Sequence, residues 1–443
     1  MQSEISLEGG EFELSCGVTK RCELDLANDD ELRSSARRLY AHRATDGPEV
    51  FKRRQMAYGF TYSPYSLLVD ADLTGIIQPA SQYMHDWMHG VFVGGVWSVT
   101  VNYILEALRV DGIADLYQMI LDYVAMWTFP ARTKQSKAHE IFEPKRRRGN
   151  VKARYFKCKA SEGLSVYAIL AHFLQRCVIP AGRCVALCTT YLALADMIDF
   201  LLAASRYEHG FVQPHQLTAA IEHFYALYKA HIGLKLTTPK FHWTLHYPDA
   251  LYQWKTLLSC FVHERKHKTI LRFGTDIYNT TAYEKSVLHE VTCQQLAALD
   301  DTAVCDFSVG LIQPRPATKK LKDFVIDALD LHVVRNLLTI NMALHARFSQ
   351  AGVCSARDVV LVRDDRDGAV KAAGQIWAHL SVEGECISIV TMWDLIDFDR
   401  RQGSASWRLQ HVPELIKLSS IIEVVVWAES DGVIRTLIPR YFC

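Results

Sequence analysis

The stretch MHDWMHGVFVGGVWSVTVNYIL, residues 84–105, decides how the chain is read. Before it the pattern is mixed. From Met84 onward apolar residues recur at helical steps: Trp97, Val101, Ile104 and Leu108 fall on one face of an amphipathic helix. Its polar start raises a question of chemistry. Asp86 and His89 are three apart, so a helix puts them on one face, where the acid can fix the imidazole tautomer. The same pair also reads as an ordinary helix start, where aspartate caps the first turn.

Working outward, residues 1–80 carry one helical signal, DDELRSSARRLYAHRA, with Asp29 or Asp30 as its cap. GFTYSPYSLLVDADLTGIIQPAS, residues 59–81, reads as extended. Beyond the opening stretch, GIADLYQMILDYVAMWTF runs helically to Pro130, and residues 161–232 and 249–300 add further helices. A last helix is expected from LKDFVIDALDLHVVRNLLTINMALHARF, ending near Phe348. After Gly352 the texture turns to short β-rich runs near 358–363, 373–382, 386–392, 421–428 and 433–438, several of them separated by turn formers. The expected organisation is an irregular segment 1–80, a mainly α helical body 81–350, a linker between Phe348 and Asp358, and a small C-terminal antiparallel β-barrel, SH3-like, over 351–443. Trp377, Trp393, Trp407 and Trp427 offer that barrel either core packing or a cage for a methylated lysine.

Composition bounds the rest. Hydrophobic residues make up 49% of the 443, which excludes a disordered chain. Lys+Arg and Asp+Glu are equal at 49 each, so any nucleic-acid contact must come from a local patch. The 12 cysteines include no C-x-x-C pair, and Cys16 and Cys22 lack a second pair for zinc; free thiols in an intracellular compartment are expected. The start has no apolar signal-peptide core. Two apolar runs raise a membrane question, but Ser98, Thr100 and Asn102 interrupt one and Asp196 and Asp199 the other, so both are expected as buried helices.

One segment, 131–160, is strongly basic. Lys145, Arg146, Arg147 and Arg148 are followed by Lys152, Arg154, Lys157 and Lys159, with Tyr155 and Phe156 interleaved. It reads as a solvated loop or as a phosphate-backbone contact for DNA.

No Gly-rich phosphate loop and no G-x-S-x-G occur. In LTTPKFHWTLHYPDAL, His242 and His246 are four apart, as packed core histidines or a pair of metal ligands. FVHERKH, starting at Phe261, formally holds H-E-x-x-H, with His263 and His267 as zinc ligands and Glu264 as base. Ile270 and Phe273 occupy the places where the extended zinc-protease motif needs Gly and His. Glu264, set among Lys266, His267 and other cations, also reads as an ionised Mg²⁺ ligand, or simply as part of an exposed helix.

In this order the motifs resemble the C-terminal half of KDZ/Plavaka-type and CACTA-like DDE transposases. DWMHG matches a D-x-M-H block, KFHWTLHYP (residues 240–248) a K-x-H-x-x-x-H-Y-P block, and HERKH (residues 263–267) an E-x-K-H block. FKCKASEGLSVYAILAHFL is similar to the helical insert, and the resemblance covers about residues 60–300. It implies an RNase H-like core with a helical insertion, nuclear and DNA-binding, that uses carboxylates to hold two Mg²⁺ ions. Glu264 would be the third, metal-binding carboxylate, and Asp86 and His89 would stand beside it. Lys266, His267, His242 and His246 would support the site. The first two catalytic aspartates have no counterpart; Asp70 and Asp72 are the nearest acids, and neither matches. The chain therefore reads as N-terminally truncated or decayed and not competent to cut DNA alone. The alternatives are an intact Mg²⁺-dependent nuclease or transposase and a DNA- or chromatin-binding scaffold. The barrel would serve a chromatin partner or a homo-oligomer, and no membrane role is expected.

Overall fold

The computed structural model describes residues 28–439 apart from 59–60, 65, 67, 71, 74–75, 79, 132–137, 207–210, 260–270, 272, 275–281, 301–307, 331, 333–338, 350–351, 364–369 and 400–401. Contacts divide the chain into two units, Met1–His85 and Asp86–Cys443.

In the first unit α1 (Asp29–His42) packs on α2 (Pro48–Tyr58). The cap of α1 is Asn28, not Asp29 or Asp30. Its side chain accepts the Glu31 N–H at 2.9 Å, and the Glu31 carboxylate accepts the Asn28 N–H at 3.3 Å, a reciprocal capping box. Asp29 is used elsewhere: it accepts the Ala80 N–H at 2.6 Å and the Ser81 N–H at 3.3 Å, tying that turn to the helix. The expected extended run over 59–81 is instead turn-rich. Asp70 Oδ1 accepts the N–H groups of Asp72 (2.9 Å) and Leu73 (3.3 Å), so its side chain closes a local turn.

The second unit begins with α3 (Trp87–Phe92), α4 (Val96–Val110), α5 (Leu116–Ala125), α6 (Arg147–Ala153) and α7 (Ala160–Phe173). It continues with α8 (Val185–Arg206), α9 (Pro214–His231), α10 (Pro239–Thr244), α11 (Tyr247–Trp254), α12 (Tyr283–Asp300) and α13 (Lys319–Ala328). Trp97, Val101, Ile104 and Leu108 are at most 1% exposed, so the face read from the sequence is the core face of α4. The Trp97 indole N–H donates to the Tyr191 hydroxyl at 2.9 Å, joining α4 to α8. Residues 87–110 and 185–206 are long and apolar enough to cross a membrane by length and composition, yet each is mostly buried within the protein. Thr100 is fully buried, and its hydroxyl donates to the Val96 carbonyl at 2.7 Å.

The C-terminal end is a curled antiparallel half-barrel. Among the described residues its sheet has nine strands. The continuous order is β10 (Ile421–Val425), β6 (Val359–Arg363), β7 (Val370–Val382), β8 (Glu385–Asp399), β9 (Ser404–Lys417), β12 (Val433–Leu437) and β11 (Trp427–Ser430). β3 (Ile340–Ala343) pairs with the far half of β7, and β2 (Arg315–Pro316) pairs with β3. β1 (Gly310–Ile312), β4 (His345–Arg347) and β5 (Val353–Ser355) make a smaller sheet. Its Ala346, Phe348 and Cys354 pack with Val360, Ile376 and Val390 of the larger one.

Three expectations are corrected here. The β structure starts at Gly310, with the larger sheet starting at Arg315, not after Gly352, and that sheet is larger than five strands. The long helix to Phe348 ends at Ala328, and 340–347 are strands. The expected linker holds β5, and Phe348 N–H donates to the Gly352 carbonyl at 3.0 Å across a β4–β5 hairpin turn. Body and sheet are also stitched together. Thr128 and Trp427 exchange both backbone bonds, at 2.6 and 3.1 Å, and the Ala131 N–H donates to Asp358 Oδ1 at 2.6 Å. Among the described residues no strand precedes Gly310.

Candidate functional site

The site grows from α3, a helix of six residues held at both ends. Asp86, in extended backbone, is its N-cap and accepts the N–H groups of Met88 (3.1 Å) and His89 (3.2 Å). The same carboxylate also binds His89 Nδ1. At the other end the Lys240 ammonium donates to the carbonyls of Val93 and, at 3.3 Å, His89. A cation suits the carbonyl-rich end of a helix. Burial pushes the Lys240 ammonium down, and the charge of Asp86 opposes that shift.

Asp86 and Lys240 are thus both caps of one short helix, and this answers the opening question: the pair at the helix start is structural first. It also brings two sequence-distant blocks together. A Cβ on Gly90 would lie 2.0 Å from the Tyr247 hydroxyl, so only glycine admits this approach of the HYP segment to α3. A third segment arrives through Leu258, whose carbonyl accepts the Trp87 N–H at 3.3 Å. Glu264, Lys266 and His267, with His263, lie outside the described residues. Asp70 and Asp72 belong to the N-terminal unit.

His242 and His246 meet on one helical turn with their Nε2 atoms 3.1 Å apart. One donates and the other accepts, so the pair shares a proton, and burial pushes His242 down toward the neutral form. Two imidazoles so placed could supply two ligands to one metal, but among the described residues no group of three or more His, Cys, Asp or Glu side chains could hold one. Replacing Asp86 by alanine should cost about 1–2 kcal/mol, since two backbone donors lose their acceptor. Urea melts of the full chain would check it, and an unchanged midpoint would remove the cap from the account.

The basic segment is less open than a loop. Arg147 starts α6 and clasps Glu106 of α4, Nε to Oε1 at 2.7 Å and Nη2 to Oε2 at 2.6 Å. Burial works to raise the Glu106 carboxyl, but Arg147 and Arg109 outweigh it and hold it below its ordinary range. Arg146 reaches the Glu140 carbonyl at 3.5 Å, and Lys145 pairs with Glu143 at 2.8 Å. Arg148, Lys152, Arg154, Lys157 and Lys159 are exposed. The segment runs into the α3 region: the Phe156 N–H donates to the Ser98 carbonyl at 2.9 Å, and Tyr155 lies against Gly94.

Of the four barrel tryptophans, Trp393 and Trp407 are in the core, and Trp427 packs on Trp393 with ring centroids 6.1 Å apart. Trp377 alone is 64% exposed, so the four do not line a cage.

Sequence reading passed over two buried polar clusters. One holds two pairs on one pocket wall, Tyr167 with Asp199 and the part-exposed Arg206 with Glu423, where α7 and α8 face the half-barrel. The other joins Cys354, His379 and Ser388 inside it. A clue to the first was present in the sequence: an acid in an otherwise apolar helix needs a partner if it is buried. A scan against protein-family models, a search of curated proteins and a search of solved structures each found no match.

Proposed function

We propose that the chain is a transposable-element-derived protein, similar to the C-terminal part of a DDE transposase and unable to cut DNA by itself. The observation that carries this reading is the convergence on α3 of segments far apart in sequence. Lys240 caps the helix that Asp86 starts, Tyr247 packs on Gly90, and Leu258, six residues before Glu264, bonds to Trp87. These are the blocks whose order carries the resemblance. In this reading Glu264 is the third carboxylate and would bind Mg²⁺, with Asp86 and His89 as its neighbours. Two ions about 4 Å apart need acids on both sides to offset their charge, and the two strand-borne aspartates have no counterpart. Supercoiled plasmid incubated with the full chain and Mg²⁺ should stay uncut. Mg²⁺-dependent nicking that disappears in Glu264→Gln would replace this reading with the intact enzyme.

A second reading, a DNA- or chromatin-binding scaffold acting in the nucleus, is favoured by the exposed cations around α6. Arg148, Lys152 and Arg154 are solvent-facing, whereas Arg147 is committed to Glu106. Changing those three to alanine should flatten the dependence of log affinity on log salt by about one per cation removed. Changing Arg147 should act through stability instead. Binding of duplex DNA that is indifferent to salt would remove the phosphate-contact idea. The half-barrel would then serve a chromatin partner or a second copy.

A further inference from the structure

The β8–β9 hairpin runs on past the strand beside it. Up to Trp393, β8 is paired on both sides, with β7 on one flank and β9 on the other. The ladder to β7 stops where Ala373 meets Trp393, and β8 continues to Asp399 against β9. Among the described residues no strand pairs with the other edge of 394–399. An edge of this kind presents backbone donors and acceptors that a further strand can use.

The two faces of this extension differ. Residues directly opposite on paired strands share a face. Leu395 lies opposite Trp407, Phe398 opposite Ala405 and Leu409 opposite Trp393, so the three continue the face whose Trp393, Ala405 and Trp407 are in the core. They are 48%, 38% and 44% exposed, so that apolar face runs out into solvent. Asp394 lies opposite Arg408, Asp397 opposite Ser406 and Asp399 opposite Ser404, all on the reverse face. A register shift between Leu395 and Asp397 absorbs Ile396 and keeps both patterns in phase. Asp394 accepts from the Gln410 side-chain amide, and Asp399 accepts the Gln402 N–H at 2.9 Å. The described cations of the reverse face stand on inner strands, Arg408 on β9 and Arg435 on β12, so the row beside the open edge is acidic. Arg400 and Arg401, in the turn, lie outside the described residues.

We propose that the edge at 394–399 receives an extended segment of a partner protein in which apolar residues alternate with lysine or arginine. The segment adds as a strand beside β8, its apolar side chains against Leu395 and Phe398 and its cations beside Asp394, Asp397 and Asp399. A second copy pairing through the same edge would set aspartate beside aspartate, which like-charge repulsion disfavours. The inference rests on neither reading of the α3 site nor on the cations around α6.

Fluorescence anisotropy of the full chain with a labelled, capped peptide of about seven residues, valine alternating with lysine, tests it. This peptide should bind saturably. The same peptide with glutamate for lysine should bind about tenfold or more weaker. So should one with proline for valine, which keeps the charge and prevents strand pairing. Asp397→Lys and Leu395→Ser, both at exposed positions, should each weaken the valine–lysine peptide by about tenfold without shifting the melting temperature. No saturable binding, equal binding of the glutamate or proline peptide, or undiminished binding by either variant would overturn the proposal. A dimer in sedimentation that Leu395→Ser disrupts would assign the edge to a second copy and overturn it as well.

Discussion

Replacing Gly95 by alanine should lower the unfolding free energy by more than about 3 kcal/mol, the upper end of ordinary overpacking. A Cβ there would lie 2.0 Å from the Gly90 carbonyl oxygen, 2.7 Å from its carbon and 3.0 Å from the Val91 carbonyl oxygen. All three atoms are backbone, so no side chain can rotate away. Relief requires α3 to move off the start of α4, and that movement would also disturb the caps that Asp86 and Lys240 supply. Urea melts of the full chain read the effect directly. A variant with an unchanged midpoint would mean that the two helices do not approach so closely.

Acid should weaken the fold through His379. This imidazole is fully buried, bonded through Nδ1 to the Ser388 hydroxyl at 2.8 Å and close to the Cys354 thiol through Nε2 at 3.8 Å. Burial first, and the nearby His345 second, push it down to about 4 from its ordinary 6.5. The unfolded chain therefore takes up this proton before the folded one does. Stability is full above pH about 6.5, falls as the pH drops below it, and the loss is complete below about 4. At pH 4.5 the loss is about 2.5 kcal/mol from this group. Asp358, whose carboxyl burial raises, acts in the opposite sense, so the variant isolates the histidine. The difference in urea stability between pH 7.5 and 4.5 should shrink by about 2.5 kcal/mol in His379→Asn. An undiminished difference would assign the acid response to other groups.

The helical body was legible where large apolar residues repeat at helical steps. Trp97, Val101, Ile104 and Leu108 do so and are buried, but burial of Ser98, Thr100 and Asn102 on the other faces of α4 was not marked by that repeat. The reading of the last expected helix held for its first turns, Lys319–Ala328, and failed over 340–347. There the apolar run LLTINMALHARF has no capping or breaking signal to separate helix from strand, and sheet pairing of Ile340–Ala343 with β7 decides the outcome. β9 was missed because it is polar and holds Pro413. The proline is tolerated because β12 pairs only with residues 404–407, so the far half of β9 has β8 on one side and no paired strand on the other among the described residues. At the candidate site the sequence order pointed to the Asp86 and Lys240 blocks, since both are short motifs with fixed spacing. Their shared use as caps was not legible, because a cap supplied from about 150 residues away leaves no local pattern.

The strand bridge between Thr128 and Trp427 bears on how the protein is made. Its two partners stand at opposite ends of the second unit. At typical synthesis rates roughly 15–60 s separate their appearance on the ribosome. Over that interval α4 through α8 exist without the sheet that fixes the 128–131 segment, and their apolar faces are open to mispairing. Final closure then waits on contacts of very high sequence separation, which form slowly. A chaperone that shields the nascent helices until the last strands emerge should therefore raise the yield of folded protein more than it raises the rate of any single helix.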